Sequence, residues 1–325
     1  MIHLIVKDGL GNQMFQYAFA RQLQLRYEKE LGQKECIAIN PFYVDNVHAK
    51  DNDIRSLSLQ HFVLNRDVWF VPLVRQRSSL TRFKLKAAYS SGLKELIRWR
   101  LFGKKEDTAT IFERRAEHGI YYTYFPYTVC PVRLSSARDK YIFGFFQSEQ
   151  YFLDMAHQLR SEFVVKDAVL PQNRSVYEAI RTSQAVCLHI RRGDYLNPRW
   201  KSLNICDFEY YNNAINFILS KVEHPHFFIF SNSHEDIEWI KNNYRFFNYQ
   251  DDRVLELTYV DHENPDYEEL RLMQHCKYFI ISNSTYSWWA AYLSDYRNKI
   301  VCAPKRWNLA ADNDRNIYMD NWTII

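Results

Sequence analysis

The sequence predicts an α/β fold of two domains, each a parallel sheet covered by helices, and three observations lead there. The chain opens with an apolar strand, a glycine turn at Gly9-Leu-Gly11 and an amphipathic helical stripe. Its second half alternates short apolar runs with helical segments, the pattern of βαβ units. Its 325 residues leave room for two cores at roughly 100–200 residues per domain. Pro171-Gln-Asn173 interrupts the periodicity and puts the boundary within 164–175, giving domains 1–165 and 166–325.

The elements follow in order. His3 to Val6 is the first strand; after the glycines, Phe15, Phe19 and Leu23 form one helical stripe with Met14, Ala18 and Leu25 beside it. Cys36 to Ile39 is a second apolar run, and the chain is then irregular and basic until the buried strand Tyr141 to Phe146 and a helical segment from Ser148 to Phe163. Strands are expected at Ala185–Ile190, Phe227–Phe230, Val254–Val260, Phe279–Ile281 and Ile300–Ala303, with helices near 208–221, 234–243, 265–276 and 286–295. Ser233-x-x-Asp236 reads as a capping box, and Asn264-Pro265 followed by acids as a helix start.

Composition excludes several classes. Hydrophobic residues at 47% and charged residues at 25% rule out disorder, and eight glycines rule out collagen-like or linker-rich architectures. Tyr278 to Ser294 carries too many hydroxyls and amides for a membrane span, and the apolar stretch Ile2 to Val6 is too short for a signal peptide. Six cysteines without a Cys-x-x-Cys pair suggest reduced, buried thiols, and the expectation is a cytoplasmic protein. Between Arg75 and Lys105 ten basic residues face one acid, a local charge of +9 within a net +4. That block suits either a solvated helical face or an anionic surface.

In an open parallel sheet, ligands bind at the carboxyl ends of the strands, which singles out the loops 191–206, 231–236 (with Asn232), 261–266, 282–287 and 304–314. His189-Ile-Arg-Arg-Gly-Asp-Tyr195 ends a strand. Arg191 and Arg192 there bring two permanent charges whose forks match phosphate oxygens, Gly193 would let backbone approach a ligand, and Asp194 could hold a guanidinium. Ser282 to Tyr292 runs from a strand into a helix, with Ser284, Thr285 and Ser287 at the helix N-terminus, where free N–H groups favour phosphate. Together these strings suggest a diphosphate held from two sides. Gly9-Leu-Gly-Asn-Gln-Met14 has two glycines of the dinucleotide fingerprint but Met14 in place of the third, which weakens NAD binding. Asn12 and Gln13 point instead to a hydroxyl-rich ligand. Asp312-Asn-Asp314 is a weak D-x-D match, and no Walker loop exists.

These strings, with Gly144-Phe-Phe-Gln-Ser148, Tyr267-Glu-Glu-Leu-Arg-Leu-Met273, Ala303-Pro-Lys-Arg-Trp307 and Asp320-Asn-Trp322, resemble the α-1,2-fucosyltransferases of glycosyltransferase family 11. The resemblance spans nearly the whole chain except 75–105. It implies two Rossmann-like domains in a GT-B type arrangement, with the donor site in the C-terminal parallel sheet and the acceptor side, around Gly11, Asn12 and Gln13, in the N-terminal domain. It further implies GDP-fucose as donor, no metal or other cofactor, and inversion to an α-1,2-linked fucose, usually on galactose, in an oligosaccharide or lipid-linked glycan. Arg191, Arg192, His189 and Asp194 match the family's His-x-Arg-Arg-x-Asp motif, and one arginine is expected to contact the β-phosphate. Ser284 and Thr285 match diphosphate-gripping positions, and Glu269 falls where an acid reads guanine, though Asp is commoner there.

The general base stays open among Asp8, Asp194 and His189, or none. Rival readings are a dinucleotide oxidoreductase using Gly9 and Gly11, and a non-catalytic glycan or nucleic-acid binder. Nucleic acid is not the expected partner. Leu93 to Phe102 could form an amphipathic helix on the inner face of the membrane or simply a helix packed on the acceptor domain.

Overall fold

The computed structural model describes residues 1–44, 55–71, 108–123, 126–244, 255–261, 263–311 and 313–325, without the Asp194 side chain. The basic block 75–105 and Asp312 therefore lie outside the described residues. The chain divides into two compact units, Met1–Val164 with Arg315–Ile317, and Val165–Asp314 with Tyr318–Ile325.

The first unit is a five-stranded parallel sheet ordered β3-β2-β1-β5-β4. Its strands are β1 (Ile2–Ile5), β2 (Ile37–Asn40), β3 (Val68–Phe70), β4 (Ile120–Thr123) and β5 (Lys140–Gly144). Central β1 pairs with β2 and β5, so Leu4 lies between Ile39 and Ile142. Helix α1 (Leu10–Leu31) is followed by Gly32 at φ 65, a left-handed C-cap that glycine adopts without a Cβ penalty. The predicted stripe Phe15, Phe19 and Leu23 is buried, with Phe19 stacked on Phe146 at 4.0 Å. The opposite face is buried as well, and its polar residues are paired inside: Arg21 Nη2 meets Glu162 Oε1 at 2.7 Å and the Tyr17 hydroxyl donates to Glu162 at 2.6 Å. That network ties α1 to α3 (Ala156–Glu162).

Among the described residues, β3, a helix and β4 lie in the stretch that looked irregular in sequence. Helix α2 (Thr108–Glu117) precedes β4, a short aromatic strand, Ile-Tyr-Tyr-Thr. The predicted helix 148–163 is also corrected: the segment makes 3-10 turns at Glu149–Tyr151 and Leu153–Met155 before α3 begins. Phe152, at φ −149, breaks the helical run.

The second unit carries a six-stranded parallel sheet ordered β11-β10-β9-β6-β7-β8. Its strands β6 (Gln184–His189), β7 (Pro225–Phe230), β8 (Glu256–Tyr259), β9 (Tyr278–Ile280), β10 (Val301–Ala303) and β11 (Thr323–Ile324) alternate with helices. The helices are α4 (Arg174–Thr182), α5 (Phe208–Leu219), α6 (His234–Asn243), α7 (Asp266–Gln274) and α8 (Thr285–Leu293). Strands buried on both faces read as continuous apolar runs, and every residue of β7 is buried. Ser233 caps α6 as predicted, its hydroxyl accepting from the Asp236 N–H. Trp288 and Trp289 are wholly buried core.

Strand order positions the site. From β6 the chain builds outward through β7 and β8, then returns to the other edge of β6 with β9. The C-terminal ends of β6 and β9 therefore flank the topological switch point, where α/β sheets bind ligands. The first unit has its own switch between β1 and β5.

Candidate functional site

At the second unit's switch, His189 closes β6 and is buried, with Nδ1 3.0 Å from the Ser282 hydroxyl beyond β9. Burial, and then the nearby Arg191 charge, push its pKa down to about 3. His189 is therefore a neutral imidazole, and its ring centroid lies 6.0 Å from that of Tyr286. Arg191 leaves the strand on the β9 side: its guanidinium sits 5.0 Å from the Tyr195 ring, whose hydroxyl donates to the Asn283 carbonyl at 3.0 Å. Helix α8 begins here, with Ser284 as N-cap and Thr285 as its first residue.

Glu269, on α7, completes this side. Burial, and then Asp266, push its carboxyl up to about 8, so the free protein holds it largely protonated at neutral pH. Its neighbour Glu268 serves the fold instead: it is fully buried, accepts from the Leu170 N–H at 2.8 Å and pairs with Arg271.

Arg192 turns the other way. Its N–H donates to Asn232 Oδ1 at 3.2 Å, its Nε is 3.3 Å from Asp236 Oδ1, and its guanidinium carbon stands 3.2 Å from the Trp239 ring centroid. Gly193 donates its N–H to Asp236 Oδ2 at 3.0 Å and has φ 34; a Cβ there would come within 3.0 Å of the Asn232 side chain. In this structure the Gly193 N–H is taken by Asp236, and its missing Cβ makes room for Asn232. The guanidinium anchor expected of Asp194 is supplied for Arg192 by Asp236, and the Asp194 side chain is outside the described residues.

Two more of the expected site residues use their side chains within the fold. Ser287 is fully buried, and its hydroxyl donates to the Ser282 and Ser284 carbonyls, so its side chain stabilises the helix start. Gln13 is fully buried; its Nε2 donates to the Asp8 and Ser56 carbonyls at 2.9 and 2.8 Å, and its Oε1 accepts from the Ser58 N–H. That side chain clamps the strand-to-helix turn, in which Asp8 sits at φ 63, a region an L-residue rarely adopts. Gly11 is buried in the first turn of α1, and half-buried Asn12 accepts from Gln147 at 2.6 Å beside the β1–β5 switch. Gly144 ends β5 at φ 117, where a Cβ would lie 2.1 Å from the Thr123 carbonyl oxygen.

The residues missed in sequence are Asp236, Trp239, Tyr195 and Asn283. The Asn283 amide donates to the Leu203 and Trp307 carbonyls at 2.8 and 2.9 Å and so joins three of the five strand-end loops. The capping-box pattern pointed to Asp236 but gave only its backbone role.

As for metals, Asp314 accepts from the Trp307 and Asn308 N–H groups and braces its own loop. Among the described residues His234, Glu238 and Asp261 form a possible cation cluster, but the Lys241 ammonium already pairs with both carboxylates at 2.6 and 3.4 Å. All six cysteines are free thiols.

Each of the two parallel α/β units has a topological switch point, and at the switch of the second stand Arg191 and the N-terminus of α8. The chain belongs to glycosyl transferase family 11, which it matches over residues 1–325. It is 34% identical over 167 residues to an alpha-1,2-colitosyltransferase of Escherichia coli, covering 50% of this chain and 54% of that one. It is 27% identical to the O-antigen biosynthesis glycosyltransferase WbnK of Escherichia coli, covering 98% of both chains. The human galactoside alpha-(1,2)-fucosyltransferase 1 is 29% identical over 46% of this chain and 42% of its own. The alignments thus span about half the length of the first and third relatives and nearly all of WbnK.

Proposed function

We propose that this glycosyltransferase moves L-fucose from GDP-β-L-fucose, with inversion and without a metal, to the 2-hydroxyl of a galactose residue in a bacterial surface or lipid-linked glycan. The observation that carries the reading is the convergence of Arg191, the N-terminus of α8 and the Glu269 carboxyl at the β6–β9 switch. As the bond from fucose C1 to the phosphate oxygen breaks, negative charge grows on the departing GDP. A pre-aimed guanidinium and the helix N–H groups stabilise that charge, the task a divalent cation performs elsewhere. Ionised Glu269 would accept from guanine N1–H and N2–H₂. Neutral, buried His189 holds Ser282 and is a poor base at a pKa of about 3. In the first unit, the acceptor faces the β1–β5 switch, with Asn12 and Gln147 as its polar contacts.

The colitosyltransferase relative favours a second reading in the same site, with a colitosyl donor. Incubation with each donor, a panel of β-galactosides and EDTA separates the two. The expected result is a fucosyl product that survives EDTA and is lost from 2-deoxygalactosides. A colitosyl product alone would replace the donor, full EDTA sensitivity would remove the metal-free claim, and no transfer at all would refute the reading.

A further inference from the structure

The doubled arginine at the end of β6 is not a doubled phosphate site. Arg191 lies against Tyr195, whose hydroxyl reaches the loop after β9, whereas Arg192 is seated on α6, the helix that follows β7. Three side chains of the 231–239 segment make that seat: Asn232 takes the Arg192 N–H, Asp236 takes the Gly193 N–H and pairs with the guanidinium, and Trp239 stacks beneath it. Both backbone N–H groups are consumed, so this turn cannot cradle an anion as a backbone nest would. The contribution of this turn to a diphosphate is therefore a side chain, that of Arg191, beside the N–H groups of α8.

We propose that Asp236 and Trp239 are positioning residues for the transfer reaction: they lock Arg192 as a strut, and the strut fixes the turn that presents Arg191 to the donor diphosphate. The inference rests on a GDP-sugar donor. Its physical basis is preorganisation, because a guanidinium aimed in advance needs no reorganisation when charge develops. A long arginine side chain held by one ring face and one carboxylate loses the rotamer freedom that would otherwise let the turn drift.

The test uses the full chain, GDP titration calorimetry and steady-state kinetics. Trp239→Ala is expected to weaken GDP binding and lower kcat by roughly ten-fold each, with binding stoichiometry still near one. Trp239→Phe, which keeps a ring face, should stay within about three-fold of wild type, and Asp236→Asn should follow Trp239→Ala. Once Arg192 is alanine there is nothing left to seat, so Arg192→Ala with Trp239→Ala should equal Arg192→Ala alone. Wild-type behaviour in Trp239→Ala, multiplying effects in the double variant, or a loss that appears only as reduced stoichiometry at unchanged Kd would each overturn the proposal. A wild-type protein that binds no GDP would overturn the donor assignment, and this inference with it.

Discussion

Donor binding should improve as pH rises, and the size of the effect follows from Glu269. Its carboxyl is pushed up to about 8 by burial and by Asp266, yet guanine recognition needs the ionised form to accept two N–H donors. At pH 7 only about one-tenth of the free protein carries that carboxylate, and each pH unit below 8 costs binding about 1.4 kcal/mol, or ten-fold. Between pH 7 and 8.5, where the terminal phosphate of GDP has passed its pKa of about 6, the Kd for GDP should fall roughly eight-fold. Binding at pH 7 should release close to one proton, measurable by calorimetry in two buffers of different ionisation enthalpy. Glu269→Gln should bind more weakly and show a flat profile. The stability of the ligand-free protein must move the opposite way: a carboxyl whose folded pKa exceeds its unfolded value stabilises the fold at low pH, and that contribution is lost as pH rises toward 8. A Kd that is flat or rises with pH in the wild type, or an unchanged slope in Glu269→Gln, would refute guanine recognition by this carboxylate.

Two further outcomes concern stability. His189 is held neutral, with a folded pKa of about 3 against an ordinary value near 6.5, so its contribution is complete above about pH 6.5 and is lost as pH falls. At pH 5 the loss should be about 2 kcal/mol, and His189→Phe should flatten that limb of the urea midpoint plotted against pH. Asp8, at φ 63, should be relieved by Asp8→Gly: the left-handed region costs an L-residue about 1–2 kcal/mol, less for Asp, and the freer unfolded glycine chain takes back about 0.5–1. A net gain of roughly 0.5 kcal/mol in denaturant unfolding is expected, and a loss would show that the turn needs the Asp8 side chain.

The fold was legible wherever burial is two-sided. Leu188, Phe228 and Ile280 sit in strands with both faces covered, so their neighbours are apolar too and the run stands out. Legibility failed where packing differs. Edge strand β3 is only half-buried, with Trp69 39% exposed, and β4 is four residues of mixed polarity whose aromatics gave no period. Residues 148–163 carry helical spacing, but Phe152 leaves helical φ/ψ to pack in the core beside Phe15 at 6.0 Å. Gln13 misled for a related reason. A glutamine beside two glycines suggests a ligand contact, and only the positive φ of Asp8 shows that the turn itself needed both ends of that amide.

The arginine string shows the limit of reading a site from residues adjacent in sequence. Two consecutive arginines look like ten donors for one phosphate, but successive residues leaving an extended strand point to opposite sides. Only one of them can address a given crevice, and the other needs a partner of its own. That partner arrives more than forty residues later, in the first turn of α6, because β7 is the next strand to pair with β6 and brings α6 alongside. A carboxylate at the capping-box position is already fixed by its backbone role, so it offers a rigid acceptor for Arg192 and Gly193 at once. The same reasoning explains why the α8 N-terminus stands beside Arg191 rather than Arg192: β9 occupies the other edge of β6, and the loop leaving it carries Asn283 and Ser284 to the side that Tyr195 reaches. Substitutions at Arg191 should therefore act on the donor directly, whereas those at Arg192 act through the turn.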